Sequence, residues 1–179
     1  YGWTRSVIAD VTVNTDFAQV EEDVQQVNLT RFNLFFPEKR DFFLEGQGIF
    51  SFGGVSFGNG GSPGDLPIVF FSRRVGLANG QAVPVAAGVR VTGRQGAYSI
   101  GGVNIETRQK PSASAVATNF TALRVKRDFL RRSNVGFVGT HREPTAGASN
   151  TLLGLDSNLF LYANLTANMY YSRTVTGGK

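Results

Sequence analysis

The chain runs to 179 residues and carries a formal charge of +5, no cysteine and a single histidine, His141. That length suits one substantial domain, and the composition excludes a disulfide framework, a thiolate metal site and any multi-histidine metal cluster. With 22 glycines and only 17% charged residues, it fits a turn-rich all-β protein better than a helical one.

Ser6 to Asn14 reads as a first strand, with Val7, Ala9, Val11 and Val13 on one face and Asp10 and Thr12 on the other. Asn14 to Phe50 then packs seven phenylalanines among acidic and basic residues without a clean helical or strand period. Ordinary core segments do not mix bulky aromatics and charges this densely, so an enclosed setting is expected for it. Within it Glu21 to Phe35 could form a short helix, ended by Pro37. Gly46 to Gly64 reads as a glycine-rich loop, and Pro67 to Arg74 as a buried strand or part of the same insertion.

From Val85 the pattern turns to long hairpins. Val85, Ala87, Val89 and Val91 are expected on one face, with Gly88, Arg90 and Thr92 on the other. The turn falls at Gly93 to Gly96, and the return strand, Ala97 to Arg108, slips phase at Gly101-Gly102, where a bulge is expected. A second hairpin pairs Asn119–Asp128 with Ser133–Arg142. A third sets Leu153, Leu155, Leu159 and Leu161 against Gly154, Asp156 and Asn158, and turns near Ala163-Asn164 into Leu165, Ala167, Met169 and Tyr171.

Strands near ten residues with one apolar face match transmembrane β-strands, whereas strands of soluble sheets run nearer five or six. The other face carries Arg90, Arg124, Lys126, Asp156 and Asn158, too polar for a dry core. Tyr98, Phe160, Tyr162, Tyr170 and Tyr171 are assigned to strand ends, where an interfacial girdle would place them. No run of 18 apolar residues suggests a transmembrane helix. Alternation does not say which face is inside, so a soluble β-barrel or sandwich used as a binding module is the competing expectation.

The fold expected is therefore an antiparallel transmembrane β-barrel with an inserted plug. Residues 1–14 supply a first strand, 15–76 the charged and aromatic insertion, and 77–179 the hairpins of the wall. Closed barrels of this kind need at least eight strands. Seven strands and one doubtful addition, with no obvious closing strand before Thr176 to Lys179, lead us to expect a piece of a larger barrel.

Asn14-Thr15-Asp16-Phe17, Gln19-Val20-Glu21, Asp23, Val27-Asn28 and Arg31-Phe32 follow in order, then Phe35 to Arg40, Phe42 to Gly46 and Phe71 to Gly76. This series resembles the NPDFSQVEAD, FFPEKRPFFLEG and YSRRIG signature of a bacterial domain-of-unknown-function family. Gly88 to Gly93 and Leu123 to Arg127 are similar to strands of that family, so the resemblance covers nearly the whole chain. It departs at Thr15 and Asp41, where the family favours proline. The resemblance implies a bacterial outer-membrane barrel that usually follows a family-9-like carbohydrate-binding module. That module is not in this sequence, so no glycan function carries over from it.

Several residues could bear chemistry. Glu38 and Glu45 could be a carboxylate pair for glycoside hydrolysis, which makes a membrane-embedded hydrolase the enzymatic alternative. The plainer expectation is pairing with Lys39, Arg40 or wall arginines, since buried charge is tolerated when paired. Asp16, Glu21, Glu22 and Asp23 are acidic but lack calcium-loop spacing, and a salt-bridge or capping role is expected instead. Gly53 to Gly64 lacks the Lys-Ser/Thr ending of a phosphate loop, and His141 reads as a loop residue at a strand end. The arginines lie spread along the chain, not gathered in the patch of a nucleic-acid binder.

The expected network on the enclosed face comprises Asp16, Glu21, Asp23, Arg31, Glu38, Lys39, Arg40, Glu45, Arg73, Arg74, Arg90, Arg124 and Lys126, with the insertion's charges bonded to the last three. Transport or a surface scaffold is the expected function, without cofactor or metal. Expected partners are outer-membrane lipid, a glycan or peptide ligand, and other outer-membrane or periplasmic proteins, but no nucleic acid.

Overall fold

The computed structural model describes residues 2–4, 6–14, 38, 40–44, 47–54, 68–79, 81–130, 132–162 and 165–177. The strands are β1 (Gly2–Thr4), β2 (Val7–Val13), β3 (Leu77–Ala78), β4 (Gln81–Ala82), β5 (Val85–Gln95), β6 (Tyr98–Thr107), β7 (Thr118–Phe129), β8 (Ser133–Pro144), β9 (Ser149–Tyr162) and β10 (Leu165–Gly177). Eight of them form one antiparallel sheet in the order β1-β2-β5-β6-β7-β8-β9-β10, and β3 pairs only with β4. Among the described residues the protein is all-β apart from one turn of α-helix, α1 (Asp41–Leu44), and short 3-10 turns at Gln47–Phe50, Ser72–Arg74 and Pro111–Ala113.

β2 and β5 are neighbours in the sheet although residues 14–84 separate them in sequence. The insertion therefore leaves and re-enters the sheet at one end. The same end carries the connections 108–117 and 145–148, while the other end holds the turn at 96–97 and the links from β7 to β8 and from β9 to β10. Backbone hydrogen bonds fasten the rim where the insertion joins, from Asn14 N to Ala86 O (2.9 Å) and from Arg108 N to Pro84 O (2.8 Å).

Side-chain alternation splits the sheet into a face covered by the insertion and an open face. On the covered face Arg90, Val103, Ala122, Val138 and Asp156 are all buried. The open face exposes Val89, Val91, Ile100, Leu123, Val125, Val135, Phe137, Leu153 and Leu155, with Leu155 55% exposed. Toward the long-connection end the open face turns polar, where Asn104 bonds Asn119 and Thr121, and His141 meets Thr151. β10 is exposed along nearly its whole length.

The core lies between sheet and insertion. Phe43, Phe50 and Val75 of the insertion pack with Val85, Val103, Ile105 and Ala122, and Phe42, Phe70 and Phe120 flank them. Each large apolar side chain removed from water here contributes about 1.5–3 kcal/mol. This contact fixes the insertion on the sheet.

Some expectations are corrected. Val85 faces the core, 1% exposed, because a bulge between Val85 and Ala87 breaks the alternation that would have aligned it with Val89. No bulge occurs at Gly101-Gly102, which pair in register with Thr92 and Val91. The long strands of the sheet resume at Val85, and Leu77–Ala78 and Gln81–Ala82 form their own hairpin. Ile68 to Phe71 form no strand. Tyr170 and Tyr171 lie mid-strand opposite Asp156 and Leu155, and Tyr170 meets the Phe52 ring at 5.9 Å on the covered face. The helix expected over Glu21 to Phe35 falls outside the described residues.

Candidate functional site

Charged side chains on the covered face sit in two separate arrangements. The first belongs to the wall. Arg124 of β7 donates from Nη1 to Asp156 Oδ1 (2.6 Å) and from Nη2 to Oδ2 (2.8 Å), with both side chains essentially inaccessible. The two residues lie on strands that do not touch, since β8 runs between them. Gly136 makes the reach possible. It pairs with Lys126 on one side and Asp156 on the other, and a Cβ there would fall 2.7–2.8 Å from the guanidinium. Arg124 Nε finds no partner among the described residues, so Asp156 supplies nearly all the compensation for this buried cation.

The insertion hooks onto this pair. Gly53 N donates to Asp156 Oδ2 (3.1 Å), and Phe52, 2% exposed, lies 5.8 Å from the Arg124 guanidinium, measured to the ring centre. Phe52 fits because Gly154 beneath it has no side chain; a Cβ would come within 2.9 Å of the ring. The same device recurs at Gly101 under Ile49 and Phe50, while a Cβ at Gly88 would first meet the Thr12 methyl at 2.9 Å. Nearer β2, Arg90 bonds its direct register partner Asp10 through Nη2 (2.5 Å) and Nε (3.2 Å), with the Phe42 ring over it.

The second arrangement lies within the insertion. Arg40 donates from Nε to Glu38 Oε1 (2.8 Å) and from Nη2 to Oε2 (2.8 Å), and its own backbone N–H also donates to Oε1. The remaining guanidinium donors reach Val75 O (2.7 Å) and Ser72 O (2.7 Å), while Ser72 Oγ donates to Glu38 Oε2 (2.7 Å). The Phe43 ring stacks 4.2 Å from the Arg40 guanidinium. This knot ties the Pro-Glu-Lys-Arg segment to the Ser-Arg-Arg segment more than 30 residues later.

Burial raises the Glu38 carboxyl, but the hydrogen bonds and charge of Arg40, the Ser72 hydroxyl and the Arg40 backbone N–H outweigh it and hold the pKa below the usual carboxylate value. A general acid needs the opposite environment, so Glu38 is unsuited to protonating a glycosidic oxygen.

Most of the insertion's charges expected to bond Arg90, Arg124 and Lys126 lie outside the described residues. Arg90 and Arg124 take aspartates of the wall, and Glu38 takes Arg40. Lys126 lies half-buried on the covered face beside Gly136. Arg74 is exposed, and of the Arg73 side chain nothing is described. Asp16, Glu21, Glu22, Asp23, Arg31, Lys39 and Glu45 fall outside the described residues, as does most of the Gly53 to Gly64 loop. His141 sits inside strand β8 and not in a loop, its Nδ1 2.8 Å from Thr151 Oγ1 and its Nε2 3.2 Å from Glu143 Oε2. Among the described residues no group of three or more His, Asp or Glu side chains is placed to hold a metal.

Asp10, Asp156, Ser72 and Phe52 complete these arrangements and were absent from the expected network. The signal for Asp10 and Asp156 was present, because alternation puts both on the face of the arginines. A family model described as "Domain of unknown function (DUF5916)" matches residues 1–141. No curated protein and no solved structure matches the chain.

Proposed function

The chain belongs to the DUF5916 family of unknown function, and we propose that it is wall and plug of a bacterial outer-membrane β-barrel. In this reading the open face meets acyl chains, the covered face lines a lumen, and the insertion fills that lumen. One observation carries it: the greasy side of the sheet is the exposed one, while the ion pair Arg124–Asp156 lies on the covered side. A soluble barrel would bury leucines and valines and expose arginines. Here Leu123, Leu153 and Leu155 are each more than half exposed.

Strand length agrees, since β5 to β10 run 10 to 14 residues and transmembrane strands need about 9–11 when tilted. An irregular segment is tolerated at membrane depth only inside protein or a water-filled cavity, and the insertion packs against the covered face. The unpaired edge of β10 would be met by a further strand, because lipid leaves no backbone group unsatisfied. Barrels of this class keep short turns at the periplasmic end and longer loops outside, so the insertion would enter from the cell surface. The function is then gated passage of a solute, or a surface scaffold, in which movement through the lumen requires the insertion to release the wall.

Membrane fractionation tests the location. The protein is expected to sediment with outer membranes after alkaline carbonate and to need detergent for release; recovery in the carbonate supernatant contradicts the reading. Planar-bilayer recording tests the plug. Wild-type protein is expected to conduct poorly and Phe52→Ala to conduct more; equal conductance removes the gating role.

A further inference from the structure

At the long-connection end a cavity of about 680 Å3 opens between the insertion, the β3–β4 hairpin and the rim of β6 to β8. Its apolar lining includes Phe71, Leu77, Val116 and Phe120, and two arginines, Arg74 and Arg142, stand in its wall. No carboxylate lines it among the described residues. Neither arginine makes an ion pair among the described residues, whereas the arginines deeper on the covered face are matched by acids. The Thr107 and Thr118 hydroxyls are already committed, to Thr118 O (3.1 Å) and Val116 O (3.0 Å). The cavity therefore offers an apolar volume of small-molecule size with two uncompensated guanidinium groups.

We propose that this cavity binds a small organic carboxylate with an aromatic or branched apolar body. Two forked guanidiniums match a carboxylate in charge and geometry. The aromatic and aliphatic wall accepts the body, which a fully hydrated sugar acid would not fill. The rim is formed by Phe71 and Arg74 of the insertion, whose backbone is bound to the Glu38–Arg40 knot through the Ser72 and Val75 carbonyls. Occupancy would therefore be felt by the insertion.

The test uses the whole protein and 2-naphthoate as probe, with 2-naphthamide as its neutral counterpart, read by calorimetry. One saturable site is expected, about tenfold or more tighter for the carboxylate than for the amide. The double variant Arg74→Gln/Arg142→Gln should lose about tenfold for naphthoate and leave the amide unchanged. Both arginines are exposed, and retained elution volume and β-sheet circular dichroism verify the fold. Absence of saturable binding at millimolar probe, equal binding of acid and amide, or indifference to the double substitution each overturn the proposal. The site does not depend on the membrane reading: a protein released by carbonate that still binds naphthoate sinks that reading and leaves this one standing.

Discussion

Two bidentate arginine–carboxylate pairs, one on the sheet beneath the insertion and one within the insertion, do different work. Arg124 and Asp156 lie 32 residues apart and join β7 to β9 across a glycine. Glu38 and Arg40 lie two residues apart and hold one segment of the insertion to another. The sheet pair needs β7, β8 and β9 in register before it can form. The insertion pair needs only its own segment and the Ser72–Val75 turn. One therefore reports on the sheet and its docking, and the other on the internal shape of what docks.

The sharpest way to break this contrast is Asp156→Ala. It strands a fully buried guanidinium and removes the acceptor of Gly53 N, and should cost about 3–5 kcal/mol in denaturant unfolding. Replacing both partners with leucine should recover most of that loss, because the penalty lies in the uncompensated charge. An equal loss in the double variant would mean that the carboxylate does something beyond pairing.

Phe52→Ala should come next, at about 3 kcal/mol, by emptying the seat over Gly154. Its effect should fall on docking. Limited proteolysis is expected to cut within residues 38–76 while the sheet persists, and simultaneous loss of both would merge the two regions into one unit. Gly136→Ala should cost about 1–3 kcal/mol by overpacking against Arg124, whereas Gly48→Ala, with nothing within 4 Å, should change little.

Acid sharpens the other side of the comparison. Because the Glu38 carboxyl titrates below its unfolded value, its contribution is complete above that unfolded value and is lost as pH falls through the folded one. Proteolysis of the insertion should accelerate in that acidic window, and Glu38→Gln should flatten the dependence at a raised baseline. The smallest effect belongs to Arg94–Asp128, whose side chains are 66% and 37% exposed. Asp128→Asn should shift stability by less than about 1 kcal/mol, with the difference fading in high salt.

Much of the sheet was legible because period-two alternation over ten or more residues is hard to produce otherwise. The placement of Arg90, Arg124 and Asp156 on one face followed directly. Their partners were not legible, because register across β8 decides them and no local pattern encodes it. The glycines were the largest missed signal. Gly101 reads as a bulge and Gly88, Gly136 and Gly154 as neutral alternation, but interior strand glycines also mark close approach. Gly101 and Gly154 make room for a ring, Gly136 for a guanidinium and Gly88 for the Thr12 methyl. Val85 escaped because a single-residue bulge reverses the face without altering composition. The Glu38–Arg40 pair had a readable cue, since residues two apart share a side of extended chain. Its anchoring to Ser72 and Val75 depended on a fold-back that sequence spacing does not reveal.

The central claim concerns which solvent the open face meets, and labelled cysteines test it most directly because the chain has none of its own. Leu155→Cys and Asn168→Cys, each carrying an environment-sensitive fluorophore, would be compared in vesicles containing nitroxides at mid-acyl depth. The account predicts strong quenching at Leu155, on the open face, and little at Asn168, on the covered face one strand away. Equal or reversed quenching, or a protein that stays off the vesicles, would contradict it.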